Sequence, residues 1–134
     1  MRVARYLAVA AIYLAVDLAW IVFSKNAYEA AFGAPVTGSI PAAALAYAAL
    51  ILGFFVFVPT VARDAVAKRP GRPPWTVYAA VGAAFGACVY GVYNGTVAFQ
   101  NANWRGAIIA RDMAWGVSSS ALMAVVLLAM TAKP

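Results

Sequence analysis

Histidine is absent from all 134 residues. That removes His-ligated zinc, His-ligated haem, the Ser-His-Asp triad and the Cys-His dyad. Cysteine occurs once, at Cys88 inside an apolar run, so no intramolecular disulfide can form and the redox compartment is not readable. No metal and no cofactor are expected. Charge is also scarce. Four acidic residues face ten basic ones, and charged residues make up 10% of the chain, where a soluble domain carries about 25%. So few charges cannot coat a small globule, whose surface is large relative to its volume. Contact with lipid removes that need.

What is present is hydrophobic, at 66% of residues. Four apolar stretches stand out: about Ala4 to Phe23, Ile40 to Val61, Trp75 to Val97 and Ala107 to Thr131. Each is near the ~20 residues needed to cross the hydrocarbon. Backbone groups in lipid must be satisfied within a segment, and the runs lack a period of two, so each reads as a helix. The expected fold is an all-α, four-transmembrane-helix bundle forming a single domain over residues 1–134. The start, Met1 to Val16, resembles a signal peptide, with Arg2 and Arg5 before an apolar run. That run continues past Asp17, too long for a typical signal core, and reads as an uncleaved first span.

The connections differ. Asn26 to Ser39 holds Gly33, Pro35 and Gly38 and reads as a loop. Pro70, Gly71, Pro73 and Pro74 stop the second helix near Lys68. The short polar segment Phe99 to Gly106 makes spans three and four antiparallel neighbours. Basic residues divide unevenly between the two sides. Arg2, Arg5, Arg63, Lys68, Arg69, Arg72 and Lys133 fall on one side, and Lys25, Arg105 and Arg111 on the other. The excess places both termini and the middle loop in the cytoplasm, in a multi-pass protein of the cell (inner) membrane. Trp75 and Trp104 sit at span ends, where an aromatic belt would put them.

The net charge of +6 does not point to nucleic acid, because the basic residues flank apolar runs and form no stripe. Arg63, Lys68, Arg69 and Arg72 cluster in one segment, which suits anionic lipid head groups. Small residues four apart let helices approach closely, and span three holds two such pairs, Gly82 with Gly86 and Gly91 with Gly95. Packing within the bundle is the first reading of them; a homo-oligomer or a larger membrane complex is the other.

Polar residues inside apolar runs carry the most information. Asp17 lies about 10 Å inside the outer end of span one. A carboxylate near a helix centre costs ~2.5–3.5 kcal/mol on insertion scales, so it needs a partner, water or a proton. Tyr13, Asp17, Trp20 and Ser24 are spaced to share one helix face. Span four repeats the string: Asp112-Met-Ala-Trp115 matches Asp17-Leu-Ala-Trp20. The two spans run in opposite directions, so this is no simple tandem repeat. Span three offers Tyr90, Tyr93, Asn94 and Thr96 at similar depth. Arg111 could pair with Asp17, snorkel outward or stack on Trp115. Asp17 is expected within hydrogen-bond reach of at least one of Tyr90, Tyr93, Asn94, Arg111 and Asp112.

Such a cluster could exchange protons or wall a pocket for an apolar or amphipathic ligand, with Trp20, Trp115, Tyr90 and Tyr93 as walls. It could equally be a buried network that sets helix register. No nucleophile stands beside a base, so catalysis is not the leading reading. Ser118, Ser119 and Ser120 read as small-residue packing. At these positions the chain resembles a bacterial family of predicted membrane proteins, domain of unknown function 2177. The resemblance covers essentially the whole chain. It rests on Asp17 with Trp20, on Tyr90, Tyr93 and Thr96, on Trp104, and on Asp112-x-Ala114-Trp115-Gly116. It implies four spans and recurrent polar positions but no activity. Asn94 stands where the family often has Asp, and Val97 where it often has Asn, so a third acid is not expected. The leading function is a small-ligand or proton-handling site between helices in the outer half. A non-catalytic accessory or assembly subunit is the alternative, and a lipid-modifying enzyme the third.

Overall fold

The structure is a computed structural model that describes residues 2–131. Met1 and Lys133, used above for the start and the orientation, lie outside them. Four helices account for nearly all of the described chain: α1 (Arg2–Phe32), α2 (Ile40–Ala67), α3 (Pro74–Gln100) and α4 (Ala107–Thr131). Each is long and apolar enough to cross a membrane.

The first helix outruns its expected span. The loop anticipated from Asn26 begins only after Phe32. Lys25 and Glu29 pair at i,i+4 (3.6 Å), and nothing between them breaks a helix. The breaker is Gly33, at φ 67°, whose N–H bonds the Glu29 carbonyl at 2.9 Å. Loss of hydrophobicity after Phe23 therefore marks a change of surroundings, not the helix end. At about 46 Å, α1 exceeds the ~30 Å hydrocarbon core by several turns. Ser39 caps α2, its hydroxyl accepting from Ala42 N–H at 3.4 Å, with Pro41 in the tolerant first turn. The second helix ends at Ala67, before Pro70, and α3 starts on Pro74.

Helices α3 and α4 form the central pair; α2 packs on α3 and α1 on α4. Partners along α1 and α4 fall in opposite order, from Tyr13 with Ser120 to Ser24 with Arg111, so these helices are antiparallel. The α3–α4 contact is close enough to exclude side chains. A Cβ on Gly82 would strike the Ser120 carbonyl and lie 2.7 Å from Ala124 Cβ. A Cβ on Gly86 would strike the Gly116 carbonyl and lie 2.7 Å from Ser120 Oγ. The second glycine pair does not behave this way. Gly91 has only Met113 Cε at 3.9 Å, and Gly95 has nothing within 4 Å. The reason is rotation: at 100° per residue, Gly91 points about 140° and Gly95 about 180° away from Gly86.

Two clusters of apolar side chains close the bundle at its ends. Val9, Tyr13, Phe54, Val58, Met123 and Leu127 fill the half nearer the termini. Tyr28, Ala31 and Trp104 close the other. Trp104 is 0% exposed and so is no belt residue, whereas Trp75 is exposed. Phe32, Tyr28 and Tyr93 pack around the Trp104 indole.

Candidate functional site

Between these clusters lie the two acids, both buried, with Asp17 at 6% exposure and Asp112 at 2%. Asp17 is reached from every other helix. Tyr90 of α3 and Trp115 of α4 (3.1 Å) donate to its Oδ1, and Tyr47 of α2 (3.1 Å) donates to Oδ2. Asp112 accepts from Tyr28 (2.6 Å) and Trp20 (3.2 Å) at Oδ1 and from Asn94 (2.8 Å) at Oδ2. Lipid supplies no such donors, so the polar face of α1 has to be turned inward.

The repeated Asp-x-Ala-Trp string finds its use here. On antiparallel helices, a Trp one turn after its Asp on each strand comes level with the Asp of the other. Trp20 therefore donates to Asp112, and Trp115 donates to Asp17. Their rings stack at 4.6 Å between centroids and 3° between planes. The opposed directions of the spans are what let the string close on itself.

Asn94 has its orientation dictated by chemistry. The Trp104 indole can only donate, so the Asn94 oxygen must face it (2.8 Å). The amide nitrogen then bonds both the Tyr90 carbonyl (2.9 Å) and Asp112. An aspartate at 94 would set two carboxylates 2.8 Å apart, so the amide here serves as a donor that an acid could not provide without a proton.

Among the five partners expected for Asp17, Tyr90 makes the bond; Tyr93, Asn94, Arg111 and Asp112 do not. Tyr93 lines the cavity beside it instead. Arg111 neither pairs with Asp17 nor stacks on Trp115. Its guanidinium bonds Ser24 Oγ at 3.2 Å and lies over Trp20 (4.9 Å) and Phe23 (5.0 Å). Three residues of the network went unselected in the sequence: Tyr28, Tyr47 and, as a buried member, Trp104. Tyr28 extends the face Tyr13-Asp17-Trp20-Ser24 by four residues, a signal hidden by ending the helix early. Tyr47 is the only polar side chain from Ile40 to Val58.

A cleft of about 380 Å³ opens beside the acids. Asp17, Tyr47, Tyr90 and Asp112 form its polar part, and Ala43, Ala46, Leu50 and Val89 much of its apolar wall. A second cavity of about 190 Å³ lies between α1 and α4, against Trp20, Ser24, Arg111 and Asp112. Among the described residues, no group of three potential metal-binding side chains occurs.

The family model for predicted membrane proteins of domain of unknown function 2177 matches residues 2–129. The chain belongs to this family. It is a multi-pass membrane protein with four candidate spans. No curated protein and no solved structure matches it. The family carries a description of location in a membrane and none of chemistry, so the function has to be argued from the cleft.

Proposed function

We propose that this protein binds a small, mainly apolar ligand in the cleft between α1, α2 and α3. The observation that carries the reading is a roughly drug-sized cavity, about 380 Å³, with two buried carboxylates on its polar side. Ligand sites are commonly ~300–1,000 Å³, mostly apolar, with a few converging polar groups. Intramembrane acids are retained at a cost, and a substrate or proton path is their usual setting. The same carboxylates would exchange protons as a ligand enters or leaves. An accessory-subunit role is less favoured, because the Gly82 and Gly86 face that a partner helix would need is already closed by α4. The acids are also held by neutral donors and not by each other.

The proposed setting is the cell membrane, with termini and the α2–α3 turn in the cytoplasm. Arg63, Lys68, Arg69 and Arg72 are all exposed at that turn and would meet anionic head groups there. The cleft then lies in the outer half. The test uses a Cys88→Ser background carrying Ala46→Cys. A small uncharged methanethiosulfonate reagent should modify the introduced thiol in the folded protein. An inert thiol at this position would mean that the cleft is filled by protein or lipid, and the ligand reading would fail.

A further inference from the structure

The charges around the cleft select among ligands. Its lining holds two carboxylates and no lysine or arginine. The nearest guanidinium, Arg111, lies in the neighbouring cavity against Asp112 and is engaged with Ser24, Trp20 and Phe23. Among the described residues, the ion pairs are Lys25 with Glu29 and Lys68 with Asp64; neither buried acid is in one. The one guanidinium nearby stands on the Asp112 side, so no basic side chain lines the cleft at Asp17.

The hydrogen bonds leave room for a ligand. An ionised carboxylate offers about four acceptor sites. Asp17 uses three, two at Oδ1 and one at Oδ2. The rings of Tyr28, Tyr47, Tyr90 and Tyr93 border the same space. Aromatic faces attract cations, most strongly where water is excluded.

The cleft is also only partly enclosed. Helices α1 and α2 are bridged by side chains toward the termini: Tyr6 on Phe55 (5.4 Å), Tyr13 on Phe54 (5.2 Å) and Tyr47 on Asp17. Beyond Tyr47, small Ala46 and Ala43 face the cleft from α2, opposite Ile21, Tyr28 and Phe32.

We infer that the cleft takes an organic monocation with an apolar body, entering between α1 and α2, with its charged group against Asp17 among the tyrosines. The inference rests on the ligand-binding reading above. Benzyltrimethylammonium and neopentylbenzene test it, because they share a shape and differ in charge; phenylmethanesulfonate supplies the opposite sign. Each is titrated, in an uncharged maltoside detergent, for protection of the Ala46→Cys thiol from the uncharged reagent. The cation should half-protect at a concentration about tenfold or more below its neutral isostere, and the anion should protect least. Asp17→Asn, which keeps the acceptor for Tyr90 and Trp115, should erase most of that advantage. Equal protection by cation and neutral isostere in the native protein overturns the monocation, whatever the variant does. So does an advantage that survives Asp17→Asn. A thiol that never reacts instead overturns the cleft itself, so the two failures are distinguishable.

Discussion

Asp17 and Asp112 each accept three hydrogen bonds, yet replacing them by asparagine should have unequal consequences. In Asp17→Asn, the amide oxygen can stay where Oδ1 now accepts from Tyr90 and Trp115. The amide nitrogen then faces the Tyr47 hydroxyl, which can rotate and accept. No donor is stranded, and the fold should survive with a loss under about 1 kcal/mol. Asp112→Asn has no such solution. With its oxygen toward Tyr28 and Trp20, its nitrogen meets the Asn94 nitrogen; when it is turned over, the Trp20 indole keeps the Tyr28 oxygen (3.1 Å), but the Tyr28 hydroxyl proton loses its acceptor. Asn94 cannot turn in response, because Trp104 donates to its oxygen. One buried donor is left unmet in either arrangement, at a cost of about 1–3 kcal/mol. Thermal unfolding in detergent, followed by tryptophan fluorescence, should place Asp112→Asn clearly below Asp17→Asn. Adding Asn94→Asp should recover part of the loss by restoring one acid and one amide across the contact. It would not recover all, since the Tyr90 carbonyl loses its donor. Equal melting of the two single variants would refute the donor–acceptor assignment of the network.

Other expectations follow from contacts elsewhere. Gly86→Ala should lower the melting temperature, with a cost of about 1–3 kcal/mol, because its Cβ meets the Gly116 backbone. Gly95→Ala should be neutral or stabilising by up to about 1 kcal/mol, since the space is open and a helical glycine is removed. If both variants melt alike, the α3–α4 contact is misplaced. Trp104→Phe keeps the ring in a fully buried site but strands the Asn94 oxygen. A loss of about 1–3 kcal/mol should appear in a melting curve, and an unchanged curve would show that the indole N–H is dispensable. Reporter fusions at Lys68 should read cytoplasm and fusions near Asn101 the outside. The reverse pattern would move the cleft to the cytoplasmic half.

Hydropathy and periodicity are local properties, and what depends on them was legible in the sequence. Four apolar runs, the proline stop after Lys68 and the absence of histidine needed no coordinates. Neither did the shared face of Tyr13, Asp17, Trp20 and Ser24, since helical geometry alone puts them together. Ending α1 with its apolar run was a misreading of the same kind of information, because polarity does not break a helix and Gly33 does. Tertiary structure decided which partner each residue meets. The two glycine pairs of span three have identical spacing, and only the rotation of α3 against α4 makes one a contact and leaves the other in open space. The two Asp-x-Ala-Trp strings are equally mute until the helices lie antiparallel at a register that exchanges Trp20 and Trp115 between Asp112 and Asp17. The cleft is lined by residues of all four helices, far apart in the sequence. Register and rotation between helices come from the sum of many weak contacts across the bundle, which no single stretch of sequence contains.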